Sequence, residues 1–385
     1  MRLGLLPALG GGIRDLARTG QVPRLVDGYL RRYVEAFDEV VYFSYLTESI
    51  DEYTADDAIR KRVRILSPPG PLPRGKWARR MVEEQGEELR RCDVLRAFQV
   101  TGVTPLYWAD SWRRTLEVPF VTSYGFSYAA LSDSMVKKIL KQQVEKWALR
   151  HAAAVIATTE ALREHARAIA PKARVELIPN GVDTARFVPA RRDPRGHEAP
   201  FDILYVGRLS PEKNVASILT ATSHDVAWYR SGGGVTDTIV GPGPLKAALE
   251  TQAREQGISD RVRFLDMVEQ RDLPARYAAA DVFVLPSFTE GHPKALIEAM
   301  SCGLPCVVSS RGGNLALVED GVTGLHFDPE QPAELEACLK RLRADPALAS
   351  RLGAAARAQA VAHYDLGALV TREIALLKDV ARSRR

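Results

Sequence analysis

The sequence predicts an α/β protein built from two doubly wound parallel-sheet domains. Three observations predict it: the chain length, an alternation of short apolar runs with helical stretches, and a break in that alternation near the middle. At 385 residues the chain exceeds one typical core, so two domains of about 180 residues each are expected. Branched apolar runs followed by segments of helical periodicity call for a parallel sheet covered by helices on both faces. The break is the polar, Arg- and Pro-rich stretch 189–200, P-A-R-R-D-P-R-G-H-E-A-P, which reads as an interdomain linker. The expected organisation is an N-terminal domain over 1–188, the linker 189–200, a C-terminal domain over 201–364, and a helix over 365–385 packing back on the first domain.

The elements follow in order. Residues 1–6 read as a strand, leading through Leu9-Gly10-Gly11-Gly12 into a helical stretch over 22–36, and 40–45 is the next strand. Strand-like runs recur at 119–123, 155–158 and 175–178, the last ending in Pro179-Asn180-Gly181-Val182-Asp183. A fresh strand opens at Phe201 (F-D-I-L-Y-V-G), further runs lie at 262–265 and 281–286, and 332–385 is helical and Ala-rich. Ligands of such sheets bind at the carboxyl ends of the strands, in the loops that follow them.

Composition narrows the class. With 46% hydrophobic and 26% charged residues the chain has the make-up of an ordinary soluble enzyme. No apolar run approaches the roughly 18 to 20 residues of a membrane span, and the short apolar stretch after Arg2 is no signal peptide. Cys92, Cys302, Cys306 and Cys338 make no disulfide framework, so a reducing cytoplasm is the expected location. Cys302 and Cys306 flank Gly303-Leu304-Pro305 without a second pair or a His cluster, and read as small buried residues rather than metal ligands. Net charge is about +6 through residue 190 and about −1 beyond it, which places an anionic partner on the first half. A pI near 9.0 is too little to argue for nucleic acid, and none is expected.

The most informative segment is 288–298, F-T-E-G-H-P-K-A-L-I-E. It follows the apolar run at 281–286 and turns into a helix. Gly291 lets a ligand approach the backbone, and Pro293 suits the first helical position. The N–H groups of Gly291, His292, Lys294 and Ala295, with Leu296 behind them, then face the strand ends with the positive helix end behind, a setting that attracts anions. Glu298 lies in the second turn, roughly 5 to 8 Å along the axis, and leans back toward Glu290. Carboxylates repel phosphate and favour hydroxyls. A ligand with both, such as a nucleotide sugar, fits best.

A second motif, Gly207-Arg208-Leu209-Ser210-Pro211-Glu212-Lys213-Asn214, directly follows the strand at Phe201. Ser210 and Pro211 suit the N-cap and first position of a helix. Lys213 in its first turn would oppose the helix dipole by about 0.3–1 kcal/mol, a cost that a bound anion reverses. Gly241-Pro242-Gly243 is a strand-to-helix turn with no Walker lysine, and Gly10-Gly11-Gly12 lacks dinucleotide-fingerprint spacing.

These two motifs, together with Ala299 to Asn314 (A-M-S-C-G-L-P-C-V-V-S-S-R-G-G-N), closely resemble the donor site of the retaining GT-B glycosyltransferases of family four. The resemblance covers the second half of the chain and, more loosely, the first. It implies two Rossmann-like domains facing across a cleft, and transfer of a sugar from a UDP- or GDP-type donor to a hydroxyl acceptor, with cell-surface polysaccharide or glycolipid synthesis as the setting. It implies Arg208 and Lys213 as the residues that bind the diphosphate, and Glu290 and Glu298 as ligands of sugar and ribose hydroxyls. Met267 and Val268, after the strand at 262–265, fall where relatives hold the nucleotide base with main-chain groups. Gly11 and Gly12 are acceptor-side candidates by the same resemblance, although a tight turn without a ligand role explains them equally. Tyr124, in V-T-S-Y-G-F-S at 121–127, stands where relatives carry a His; it can donate a hydrogen bond to a sugar hydroxyl but is a poor base at neutral pH.

No D-x-D string precedes the donor site, so no metal and no cofactor is expected. The expected partners are a nucleotide-sugar donor, a glycan or lipid-linked acceptor, and a peripheral contact with anionic membrane at its inner face. That contact would use Lys137, Lys138, Lys141 and Lys146 on the amphipathic stretch 132–149, although the same pattern also fits a core stripe with solvated lysines. The rivals are a non-catalytic nucleotide-sugar binding protein and a phosphorylase or epimerase on the same architecture.

Overall fold

The computed structural model describes residues 1–18, 20–70, 72–111, 116–125, 135–190, 200–225, 228 and 234–383, with backbone alone at 135–137. Phe126, Ser127, residues 132–134 of the amphipathic stretch and 191–199 of the expected linker lie outside them. The chain divides into two units, one of Met1–Pro179 with Gly367–Arg385 and one of Asn180–Leu366.

The first unit holds a seven-stranded parallel sheet: β1 (Arg2–Leu6), β2 (Glu39–Phe43), β3 (Val63–Leu66), β4 (Val94–Ala97), β5 (Phe120–Tyr124), β6 (Ala154–Ala157) and β7 (Val175–Leu177). Their order is β3-β2-β1-β4-β5-β6-β7. The chain builds outward from β1 to one edge and then returns to the other side at β4. The switch point therefore lies between β1 and β4, whose registers are parallel (Leu3 opposite Val94, Leu6 opposite Ala97). Central strands are mostly apolar because both faces are covered, with Arg96 on β4 an exception.

The second unit repeats the plan with six parallel strands: β8 (Phe201–Val206), β9 (Val235–Val240), β10 (Val262–Leu265), β11 (Val282–Leu285), β12 (Cys306–Ser309) and β13 (Leu325–Phe327). Their order is β10-β9-β8-β11-β12-β13, so here the switch point lies between β8 and β11. Its core includes Tyr205, Tyr277, Phe283, Phe187 and Leu296, all buried. Cys302 and Cys306 are buried within it, and burial pushes the Cys302 thiol up to about 12.

Several sequence expectations are corrected. The first unit ends at Pro179 rather than residue 188, because Val182 bridges to Asp365 and Phe187 sits in the second core. The stretch 189–200 thus begins inside the second unit instead of joining two. Residues 367–385 group with the first unit, and 367–382 of them lie in the helix Leu366–Arg382. That helix is anchored by a buried ion pair: Arg96 on β4 donates from Nε to Glu373 Oε1 at 2.6 Å and from Nη2 to Oε2 at 3.0 Å. Tyr33 Oη also donates to Glu373. The expected helix at Ser210 is only a 3-10 turn, Pro211–Lys213, closed by Asn214 in the left-handed region (φ 51°); the α-helix starts at Ala216. Lys213 therefore ends a turn instead of opposing a helix dipole. Pro293 is extended (ψ 115°) and caps the helix Lys294–Ser301 from outside, one position earlier than expected.

Candidate functional site

The site of the second unit is built where β8 and β11 part, at the carboxyl edge of the sheet. The loop after β8 carries Arg208 and Lys213, and the loop after β11 carries Ser287 and Glu290. The two loops are tied at three levels. Phe288 N–H donates to Glu212 O at 2.9 Å. Asn214 Nδ2 donates to Pro286 O at 3.3 Å and to Pro329 O at 3.0 Å. Lys213 Nζ meets Glu290 Oε1 at 2.7 Å, with side chains only 17% and 9% exposed. Ser287 Oγ donates to the same carboxylate oxygen at 2.7 Å. A half-buried Lys–Glu pair oriented by a third group has a fixed geometry, unlike an exposed pair.

The loop after β12 backs this pair. Gly313 N–H donates to Glu290 O at 2.8 Å, and Ser309 Oγ donates to Ser287 O at 2.6 Å. A Cβ on Gly313 would collide with Gly291 O, so only glycine permits this approach. On the other side the Gly-Pro-Gly turn stacks on the β8 loop. Leu209 N–H donates to Pro242 O at 3.0 Å, and a Cβ on Gly241 (φ +136°) would collide with Gly207 O. That turn is structural.

The remaining candidates take different positions. Arg208 is well exposed; its guanidinium meets Glu212 at 3.3 Å and its carbonyl accepts from Tyr205 Oη at 2.8 Å. The Ser210 hydroxyl, bonded to Glu212 at 2.7 Å, keeps that carboxyl below its usual range. Asn180 Nδ2 donates to His292 O at 3.0 Å, and the His292 ring meets Tyr364 edge-on at 5.4 Å. The first intrahelical bond runs from Ile297 N–H to Pro293 O at 3.4 Å, so the N–H groups of Lys294, Ala295 and Leu296 have no acceptor inside the helix. Leu296 is fully buried and can offer a ligand only its main chain. Glu298 is 5% exposed and accepts from Tyr277 Oη at 2.9 Å, so its carboxylate is oriented from the core side. Burial, then the Glu298 charge, raises Tyr277 well above its ordinary value and keeps it a donor. Met267 is exposed after β10, and Val268 packs partly on the core.

In the first unit Tyr124 is corrected, and one of the two alternatives for Gly11 and Gly12 gains support. Tyr124 is fully buried in the core, and its hydroxyl donates to Glu145 Oε1 at 2.9 Å. Its side chain points into the helix layer and offers nothing to a sugar. The Gly10 loop is a closed turn. Gly11 N–H donates to Ala8 O at 2.8 Å, Gly12 N–H to Asp15 Oδ2 at 3.2 Å, and Ile13 and Arg14 N–H both to the Glu48 carboxylate at 3.0 Å. The N–H groups of Gly11 and Gly12 are committed within the chain, which favours the tight-turn alternative.

Sequence reasoning missed Ser287, Asn180 and the buttress at Gly313 as parts of the site. The Gly-Gly after β12 was a visible signal; Ser287 is an ordinary loop residue three positions before Glu290, and the partner of Asn180 is 112 residues away.

Comparison with known proteins agrees with this architecture. Residues 22–186 match the description "Glycosyltransferase Family 4" and 189–359 match "Glycosyl transferases group 1". The chain is 31% identical over 389 residues to a glycogen synthase of Mycobacterium tuberculosis, covering 93% of each chain. It is 33% identical over 205 residues to a GDP-mannose-dependent alpha-(1-6)-phosphatidylinositol monomannoside mannosyltransferase of Mycolicibacterium smegmatis, covering 50% of this chain and 53% of that protein. Among solved structures, a sucrose-phosphate synthase from Thermosynechococcus elongatus superposes with TM-score 0.74 at 22% identity over 100% of both chains. HepE of Anabaena in complex with UDP does so with TM-score 0.73 at 20% identity, over 98% of this chain and 100% of that one. The chain belongs to glycosyltransferase family four, the group 1 glycosyl transferases of GT-B fold.

Proposed function

We propose that the protein is a retaining, metal-independent glycosyltransferase that moves a sugar from a UDP- or GDP-type nucleotide donor to a hydroxyl acceptor in cell-surface polysaccharide or glycolipid synthesis. The observation that carries this is the Lys213–Glu290 pair at the β8/β11 switch point, 2.7 Å apart and backed by Ser287. A cation and a carboxylate held side by side suit a ligand with a diphosphate and hydroxyls. Arg208 and Lys213 stabilise the charge that develops on the leaving diphosphate. The first-turn N–H groups of the helix Lys294–Ser301 add the positive end of a dipole. Glu290 holds hydroxyls of the transferred sugar, and Glu298, oriented by Tyr277, takes the ribose. Met267 and Val268 border the base through main-chain groups.

Retention needs no carboxylate nucleophile in this scheme. The acceptor oxygen bonds to the anomeric carbon on the face from which the diphosphate departs, the sugar–phosphate bond breaks, and the acceptor proton passes to a leaving phosphate oxygen. Glu290→Ala is expected to lower kcat roughly 10²–10³-fold while affinity for the free nucleoside diphosphate survives. Unchanged turnover would refute the assignment, and a modest change in affinity in a protein without turnover would favour a binding protein. Full activity in excess chelator is the expected result for metal independence. A thermal-shift panel of UDP, GDP and ADP chooses the base, since a ligand at a hundredfold excess over Kd stabilises by about 2.7 kcal/mol.

No helix among the described residues is long and apolar enough to cross a membrane. Peripheral contact is supported by the helix Met135–His151, where Ile139 (50% exposed) and Leu140 (40%) stand beside exposed Lys138. Apolar side chains among cations suit an anionic lipid surface. Sedimentation with anionic but not zwitterionic vesicles, lost in Ile139→Ser/Leu140→Ser, is the expected outcome. No sedimentation at low salt would overturn it.

A further inference from the structure

The first unit has its own switch point, between β1 and β4, and a group of cations stands on its rim. The loop after β1 is joined to the loop after β4 by Leu9 N–H donating to Thr101 Oγ1 at 3.5 Å. The Arg74 stem packs on that loop: a Cβ on Gly10 (φ +78°) would come within 2.8 Å of Arg74 Cδ. Arg74 opens the helix Arg74–Arg90, whose Trp77 is fixed by Nε1–H donating to Ser44 O, just after β2, at 3.2 Å. The start of this helix is thus held at the carboxyl ends of β1 and β2, the edge where doubly wound sheets take their ligands.

What it carries there is unusual. Arg74, Lys76, Arg79 and Arg80 occupy the first two turns and are all exposed, with no acidic residue in the first turn. Residues 58–82 contain eight cations and no carboxylate, whereas four glutamates follow at 83–88. This order runs against the helix dipole, which favours anions at the start and cations at the end. Lys76 also faces Arg79 and Arg80 at i,i+3 and i,i+4, where like charges repel. Three of the four have a neighbour: Arg74 meets Asp15 at 3.3 Å, Arg80 pairs with Glu84, and the Arg79 guanidinium lies 4.7 Å over the Trp108 ring. Trp108 belongs to the helix Thr104–Ser111, which packs on Arg74–Arg90. Among the described residues no acidic side chain pairs with Lys76.

We propose that Arg74 and Lys76, with Arg79 and Arg80 adding their field, form a recognition surface for a phosphate ester, and that this phosphate is carried by the sugar acceptor. The proposal deepens the glycosyltransferase function proposed above and rests on the first unit taking the acceptor. Arg74, anchored by Gly10 and Asp15, supplies a planar fork suited to two phosphate oxygens. Lys76 supplies a mobile point charge. A neutral glycan end would gain nothing from either.

The test uses the full chain, with glycerol 3-phosphate and glycerol as soluble probes, and phosphatidylcholine vesicles with and without phosphatidylglycerol as the lipid source of the same group. Calorimetry is expected to show glycerol 3-phosphate binding that weakens with salt, no binding of glycerol, and at least tenfold weaker binding of the ester in Lys76→Glu and in Arg74→Gln. Vesicle sedimentation lost in Lys76→Glu, in place of the soluble binding, identifies a lipid headgroup and also supports the proposal. Binding equal in wild type and both variants, or no binding of either phosphate source, overturns it. UDP and GDP thermal shifts run alongside show that the variants are folded. Failure of the wild type to bind any nucleoside diphosphate would sink the donor assignment while leaving the phosphate-ester result to stand.

Discussion

Glu373→Ala tests how the C-terminal helix is held. Arg96 and Glu373 are both 3% exposed, and the carboxylate takes two guanidinium bonds and the Tyr33 hydroxyl. Arg96 also donates to Ser123 Oγ at 2.7 Å and to Ala97 O. Burial acts against the Arg96 charge, yet the Glu373 carboxylate keeps its pKa above the ordinary value. Alanine at 373 would leave that cation buried without its counter-charge, a loss of about 3–5 kcal/mol. For a unit of this size each kcal/mol moves Tm by about 2–4 °C, so a fall of roughly 6–20 °C is expected. Tryptophan fluorescence is the suitable probe, because four of the five tryptophans lie in the first unit. Hydrogen exchange along Leu366–Arg382 should rise with it. The double variant Arg96→Met/Glu373→Met removes both charges and should recover most of the loss. A single-variant Tm within about 2 °C of wild type, or a double variant as unstable as the single, would refute the account.

Three further outcomes follow from other sites. Burial pushes the Asp237 carboxyl, fully buried on β9 beside Thr222, up to about 7 from 3.8. The folded state therefore keeps its proton where the unfolded chain has lost it, so this group's stabilising effect is full below about pH 4 and drains away as pH rises to about 7, by roughly 4 kcal/mol. Asp237→Asn should flatten that slope, and parallel Tm–pH curves for the two proteins would disprove it. Tyr124→Phe should cost about 1–3 kcal/mol of stability by depriving buried Glu145 of a donor and leave acceptor KM unchanged; a raised KM at unaltered Tm would return Tyr124 to the acceptor site. Gly313→Ala should push the Glu290–Gly291 loop out of place and lower kcat roughly a hundredfold, the scale of a 1 Å misplacement. Wild-type turnover in this variant would show that the loop after β12 does not position Glu290.

How much of this the sequence could show depends on the range of the interaction that settles each residue. β1, β8 and β11 were legible because strands covered on both faces read as apolar runs. β3 and β4, short strands carrying Arg64 and Arg96, were not among the expected ones. Arg64 is tolerable because β3 lies at the sheet edge, but Arg96 is tolerable only through Glu373, 277 residues away, and no local pattern announces such a partner. The donor site divides the same way. Glu290 and Lys213 were legible as residue types placed after strands, since charged side chains at strand ends have few structural reasons to be there. Their pairing across 77 residues came only with the sheet order that makes β8 and β11 neighbours. Tyr124 misled for the converse reason: it occupies a strand end, but the pleat turns its side chain toward Glu145 and the helix layer. A residue's address after a strand is therefore readable from sequence, while the face it presents is decided by register. That distinction also explains why Arg74 and Lys76 escaped notice. They follow no strand directly, and reach the carboxyl edge of the sheet only because Gly10, some sixty residues earlier in the sequence, leaves room for the Arg74 stem.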